Sequence, residues 1–442
     1  MPDTKHRVAS YGRWYILGLI CLMYLITYLD RVNIATAAPE ISKEFGFDKI
    51  TMGAIFSAFV WAYALFQVPG GWLNDRFGAR TVLTAIVTYW SMMTAATAAA
   101  TSGLSFVIVR FLFGVGEAGA FPGATRAMQL WYPRQERGLI QGLTHSASRL
   151  GAAIAPPIVV LIITTLGWRS VFYICGAVGF VWAAWWYFSY RNLPEEHGLV
   201  NEAELRQIRG VDEHGNINPP VLERSAANVP WAILLRSPNM WAIMCAYFTY
   251  VYCLYIFLTW LPSYLVEARH FTLLKVGFLA SLPLFAGVIG DTVGGLATDW
   301  LLKRTGNTKL ARRSVAVVGL LGCAVFIVPA ALTENAYTAV YCLTGAMFFL
   351  ECTIGPSWAV PMDAGGKYSG TVSGMMNMAG NFGGAMSPLV FGFLAYYGNW
   401  EAPFVVAAVL LVIGAGIWAF WLDPDRSVVE NEEVHRTAAA AA

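Results

Sequence analysis

The sequence predicts an all-α membrane protein of twelve transmembrane helices in two six-helix bundles, with both termini cytoplasmic. Three observations lead there: a composition starved of charge, apolar stretches recurring at bilayer length, and a repeat between the two halves. Of the 442 residues, 57% are hydrophobic and 13% charged, about half the charged share of an ordinary soluble domain. Mean hydropathy is +0.54. The formal net charge of +2 gives no reason to expect a nucleic-acid partner. The seven cysteines all fall inside apolar stretches, without a CxxC pair or histidines at metal-ligand spacing, and read as small packing residues.

Crossing about 30 Å of hydrocarbon takes about 20 helical residues. Such stretches lie at about 14–38, 50–73, 79–100, 103–127, 138–164 and 167–190, and again at about 238–262, 272–302, 312–333, 336–358, 369–396 and 399–422. The first continues without a small-residue cleavage site and is expected to stay as a membrane helix. Between the sixth and seventh lies the polar segment containing EEHGLVNEAELRQIRGVDEHGN. The expected organisation is therefore a first bundle at 1–190, a cytoplasmic linker at 191–236, a second bundle at 237–425 and a tail at 426–442.

Lysine and arginine set the orientation, because cytoplasmic loops carry the excess. With the N-terminus inside, 20 fall on the cytoplasmic side and five outside (Lys43, Lys49, Arg169, Arg269 and Lys275), while Arg31, Arg110, Arg126 and Arg149 lie within spans. The repeat appears at an offset of 224: GAIFSA from Gly53 aligns with GFLASL from Gly277, and GGWLND ending at Asp75 aligns with GGLATD ending at Asp299. Two parallel copies of a six-helix unit fit one class of carrier architecture.

The loop after span 2, from Gly71 through Asp75, Arg76 and Gly78 to Arg80, resembles the signature between helices 2 and 3 of the major facilitator transporters. A degenerate copy runs from Gly295 through Asp299 to Lys303 and Arg304. YLDRVN in span 1, RFLFGVGEAGAFPG in span 4, WYPRQERG after it and YSGTVSGMMNMAGNFGGAMSP in span 11 are similar to the anion:cation symporter branch. That branch includes bacterial sugar-acid permeases, sialin and the vesicular glutamate transporters, and the resemblance covers essentially the whole chain. It implies the major facilitator fold. It also implies that Gly71, Asp75, Arg76, Arg80 and Asp299 serve a cytoplasmic gate and do not touch substrate.

Apart from charges at the span ends, the spans hold eight candidates: Asp30, Arg31, Arg110, Glu117, Arg126, Arg149, Asp291 and Glu351. Each costs roughly 2.5–3.5 kcal/mol at the centre of a membrane helix on insertion scales, so packing alone is a poor reason for them. Successive helical residues point about 100° apart, so Asp30 and Arg31 cannot neutralise each other side by side and each needs its own partner. Arg110 and Glu117, two turns apart, share a face. A polar cavity between the bundles, lined by spans 1, 4 and 5, is the expected arrangement. A guanidinium offers a permanent charge and a planar fork for a carboxylate, which makes Arg31 the expected substrate anchor. Asp30 and Glu117 are the expected proton carriers, tuned by Arg110, and the resemblance assigns these four similar roles. A buried Arg110–Glu117 pair that merely ties helices together is the alternative.

Arg149 follows His145 by four residues and shares nearly its face; a second arginine there favours a diacid such as an aldarate. Tyr28, Tyr63, Trp358, Ser373, Asn377 and Asn381 complete the expected substrate site, the asparagines four apart on one face. The expected function is proton-coupled symport of an organic anion, a sugar acid first (aldonate, aldarate or hexuronate), by alternating access in the cell inner membrane. The alternatives are an aromatic carboxylate such as phthalate, or sodium coupling. No cofactor or metal is expected, no enzymatic activity, and no partner beyond substrate, protons and lipid in a monomer; HExxH and GxSxG motifs are missing from the sequence.

Overall fold

The computed structural model describes residues 9–133, 136–211, 217, 231–365 and 368–428. The helices are α1 (Gly12–Phe45), α2 (Lys49–Phe77), α3 (Ala79–Thr97), α4 (Gly103–Trp131), α5 (Arg137–Leu166) and α6 (Trp168–Ser189). They are followed by α7 (Pro238–Ala268), α8 (Leu273–Thr305), α9 (Thr308–Leu332), α10 (Ala336–Gly365), α11 (Ser369–Tyr396) and α12 (Ala402–Trp421). Among the described residues eleven of these are long and apolar enough to cross a membrane. The remaining one, α3, is a 19-residue helix in which threonine and serine recur among the apolar residues.

Local chemistry sets where the helices begin. Ser102 and Ser105 cap α4 reciprocally: the Ser105 N–H donates to Ser102 Oγ at 3.2 Å and the Ser102 N–H to Ser105 Oγ at 2.9 Å. Asn307 and Asn335 accept from the first amides of α9 and α10 in the same way. Gly78 alone joins α2 to α3 at φ +80°, a conformation that disfavours a side chain.

Contacts divide the chain into two compact units. The first comprises Met1–Asn33, Ala62–Ala155 and Ile162–Arg224; the second comprises Ile34–Trp61, Pro156–Leu161 and Ser225–Ala442. The seam thus passes through α1, α2 and α5, whereas the sequence boundaries at 190 and 236 follow chain order. Within the second unit Ser57 Oγ donates to the Ala385 carbonyl at 2.6 Å, and Phe56 lies edge-on to Trp260.

Each unit contains one helix broken at the same kind of place. In the first, α4 consists of Gly103–Glu117 and Ala120–Trp131, interrupted directly after Glu117; in the second, α10 consists of Ala336–Glu351 and Ile354–Gly365, interrupted directly after Glu351. A glycine of a neighbouring helix lies against each break. A Cβ on Gly70 would stand 2.6 Å from Gly119 Cα, and a Cβ on Gly294 would stand 2.5 Å from Cys352 Cα. Those two glycines are related by the 224-residue offset of the sequence repeat, so the repeat extends to backbone packing.

The starts of α1 and α7 are each held by a segment that follows α6 and α12 respectively. After α6, the helix Glu202–Arg209 carries Glu204, whose buried carboxylate accepts from the backbone N–H of Gly12 (3.1 Å) and Arg13 (2.9 Å). An anion there faces the positive end of α1. After α12, the Asp423 N–H donates to Asn239 Oδ1 at 2.9 Å, and Asn239 Nδ2 donates to the carbonyls of Asp423 and Arg426 at 2.8 Å.

Candidate functional site

The charged residues of α1 and α4 meet inside the first unit. Both Nε and Nη2 of Arg31 converge on Glu117 Oε1. The guanidinium also lies 4.8 Å from the ring centre of Tyr28, 4.5 Å from that of Tyr63 and 5.7 Å from that of Phe121. Three π-faces around one cation offset part of what it loses by leaving water. Glu117 is fully buried, as is Asp30. Asp30 takes a long contact from Asn33 Nδ2 at 3.5 Å, and the charges acting on it are those of Glu117 and Arg110. The buried Arg110 guanidinium lies 4.4 Å from the Phe113 ring centre.

The adjacent Asp30 and Arg31 therefore turn to different residues of α4, as helical geometry demands. The base on α1 holds the acid on α4, while the acid on α1 lies within reach of the charges of both Glu117 and Arg110. Glu117 takes its ion pair from another helix even though Arg110 shares its own. It is the last residue before the turn at 118–119, where the Ala118 N–H still donates to the Gly114 carbonyl at 3.1 Å.

Arg149 of α5 is buried, and its guanidinium lies 5.9 Å from the Tyr28 ring centre. Tyr28 thus has Arg31 and Arg149 both against its ring. His145 is half-buried beside Tyr24 and Phe121, each 6.2 Å away between ring centres. So Tyr28, Asp30, Arg31, Tyr63, Arg110, Glu117, His145 and Arg149 are gathered in one unit.

The candidates from the second half belong to the other unit. Trp358 donates from Nε1 to Tyr247 Oη at 3.2 Å. Asn381 is buried and returns its amide N–H to the Asn377 carbonyl of its own helix at 2.9 Å, while Ser373 and Asn377 are half-buried.

The residues expected at a cytoplasmic gate are spread out. Arg80 Nε donates to the Tyr187 carbonyl at 2.9 Å, and its backbone N–H reaches Asn192 Oδ1 at 3.1 Å. Arg76 is exposed over Trp72 and Phe77. The side chain of Asp75 lies outside the described residues. Asp299 pairs with Arg312 of α9 at 3.3 Å, and Arg312 also binds Asp363 at 3.1 Å. The close helix approach here is made by Gly70 and not by its neighbour Gly71. A Cβ on Gly71 would meet only Pro122 Cβ, at an ordinary 3.6 Å, whereas Gly70 is the glycine pressed against the break in α4.

Sequence reasoning passed over Phe121, Asn33 and Gly70. Asn33 stands three residues after Asp30, on the same helix face, and could have been found from that spacing. Phe121 lies within GEAGAFPG, and Gly70 is the first glycine of the repeated GG pair.

A buried Arg31–Glu117 ion pair with the further buried charges Asp30 and Arg110 beside it suits the movement of an anion better than chemistry on one. Comparison with known proteins bears on this directly, since a sequence model of the Major Facilitator Superfamily matches residues 20–388 and 366–441. The chain belongs to that superfamily. It is 45% identical to a probable sulfoacetate transporter of Cupriavidus necator over 97% of both chains. It is 34% identical to a probable galactarate/D-glucarate transporter of Escherichia coli K12 over 87% of both, and 32% identical to a D-galactonate transporter of Escherichia coli O6:H1 over 90% of this chain and 93% of the other. In fold it is similar to a bacterial homologue of the human lysosomal transporter Spinster, solved inward-facing and unoccupied, with a TM-score of 0.74 at 17% identity over 92% and 96% of the two chains. The protein is thus a multi-pass membrane transporter of organic anions in this superfamily, and not an enzyme.

Proposed function

We propose that this transporter carries a compact organic dianion into the cell together with protons, by alternating access across the inner membrane. The sulfoacetate class, with a carboxylate and a sulfonate on one short carbon chain, is the first candidate. The observation that carries this reading is the pair of arginines against Tyr28. Arg31 offers a guanidinium already engaged with a carboxylate, and Arg149 offers a second one against the same ring.

Exchange of partners supplies the coupling. A substrate acid group that takes Arg31 displaces Glu117, leaving an ionised carboxylate in a dry site. That state is expensive, and uptake of a proton by Glu117 removes the expense. Asp30, between Glu117 and Arg110, is the second carrier. Release of substrate returns Arg31 to Glu117 and expels the proton.

An aldarate such as galactarate is the second reading, supported by relatives named for it. Aromatic carboxylates such as phthalate rank below both, because the aromatic groups around Arg31 are occupied by the guanidinium itself.

Competition in proteoliposomes tests the assignment. Sulfoacetate should inhibit uptake at lower concentration than galactarate, and galactarate at lower than phthalate. Truncating one member of a buried charge pair costs about 2–5 kcal/mol, so Arg31→Ala should weaken substrate-induced thermal stabilisation by roughly 30-fold or more in concentration. A ligand that stabilises Arg31→Ala as well as wild type would remove the carboxylate anchor and the coupling scheme with it.

A further inference from the structure

Glu351 is the second fully buried carboxylate that ends a broken membrane helix, and the scheme above gives it nothing to do. Its Oε2 accepts a hydrogen bond from Tyr250 Oη of α7 at 3.0 Å. α8 lies close against α10 along Gly287, Gly290 and Gly294, and a Cβ on Gly287 would stand 3.1 Å from Glu351 Cγ. The titratable groups near it among the described residues are Tyr250 on α7, Cys323 on α9 and Cys352 next to it in sequence, with Cys253 against Cys323 and Asp291 of α8 beside Cys352 in the next layer. Tyr247 stacks on Tyr250 at 5.4 Å and receives the Trp358 N–H, which fixes the phenol that meets the carboxyl.

The chemistry of that partner matters. A guanidinium only donates, so it serves the ionised form of an acid. A phenol hydroxyl donates to a carboxylate and equally accepts from a carboxylic acid. Tyr250 can therefore follow Glu351 through both protonation states without rearranging the helices. At 352–353 the helix only tightens, the Cys352 N–H donating to the Phe348 carbonyl at 3.2 Å and the Thr353 N–H to the Leu350 carbonyl at 3.1 Å, so the backbone beside Glu351 is satisfied within the helix. The same conjunction of buried glutamate, helix break and packed glycine occurs in the first unit, where the glutamate is Glu117.

We propose that Glu351 is a proton-binding site that adds one proton to each transport cycle. The cycle is balanced: Glu351 takes a proton from the side where substrate enters and releases it on the other side, with Tyr250 reversing its hydrogen bond at each step. The proposal rests on the proton-symport reading above. A dianion moved with two protons carries no net charge, so a further proton makes uptake electrogenic.

Proton-to-substrate ratios measured in proteoliposomes by balancing substrate and proton gradients decide the matter. Glu351→Gln should lower the ratio by one. Each charge moved is worth about 2.3 kcal/mol per 100 mV, so maximal accumulation at −100 mV should fall about 50-fold. Tyr250→Phe keeps the carboxyl and removes the hydroxyl, and should move the uptake pH profile upward by roughly half a pH unit or more. It decides the issue even if the glutamine variant fails to fold. An unchanged ratio in Glu351→Gln, or an unmoved profile in Tyr250→Phe, overturns the proposal while leaving the symport reading in place. A wild type whose uptake ignores the proton gradient overturns both.

Discussion

The break in α4 and the break in α10 are built alike and furnished differently. Each follows a fully buried glutamate and is met by a glycine from the preceding GG pair of its half. Yet Glu117 meets the guanidinium of Arg31, and Glu351 meets the hydroxyl of Tyr250. The backbone device recurs at the 224-residue offset, while the side chain opposite the acid differs between the two. A cation fixes an ionised state until a competing anion arrives; a phenol tolerates either state.

The largest expected difference between the two sites is in stability. Arg31→Met leaves a buried carboxylate without its counter-charge and should cost about 3–5 kcal/mol. Tyr250→Phe removes one hydrogen bond and should cost about 1–3 kcal/mol. Thermal denaturation in one detergent measures both, and equal losses would mean that the two glutamates are held in the same way after all.

The packing half of the comparison comes next. Gly70→Ala and Gly294→Ala both drive a methyl into backbone at a helix break and should destabilise by about 1–3 kcal/mol, the range for overpacking. Gly71→Ala meets ordinary contact and should change stability by less than about 0.5 kcal/mol. If Gly71→Ala were the worse of the two, the close approach would lie where the loop signature alone implies.

The smallest effect concerns how each unit holds its first helix. In the first unit His197 packs edge-on to Trp131 at 5.3 Å, and its Nδ1 accepts from the Leu199 N–H at 3.2 Å. Burial lowers its pKa from the ordinary value. The folded state therefore resists protonation, and stability is lost as pH falls below about 6.5, the unfolded value. In the second unit burial raises the Asp423 pKa, but hydrogen bonds from Lys309, at 2.7 Å, and from the Asp425 N–H outweigh it, and the net shift is downward. That contribution persists until pH falls below about 4. Hydrogen exchange at the first amides of α1 should accordingly rise at milder acidity than at those of α7, and His197→Gln should flatten the first response. Simultaneous loosening of both helix starts would show that these segments do not act separately.

Much of this was readable in the amino-acid order. Bilayer-length apolar stretches, the repeat at 224 and the ionised residues of the first and fourth spans are properties of short windows, and the helices form where hydropathy puts them. The polar stretch after the sixth span read only as a linker. Its part up to 211 instead places Glu204 on the start of α1, because a buried carboxylate there satisfies amides that no residue of α1 can reach.

By itself, then, the sequence determined a helical membrane protein of repeated design with charges it could not bury unpaired, since hydropathy and spacing add up locally along the chain. Only the tertiary structure decided the partners: Arg31 for Glu117, Tyr250 for Glu351, Gly70 for the break in α4. Those choices depend on how far each helix is rotated about its axis and how closely it crosses its neighbour, and side chains distant in sequence fix that jointly.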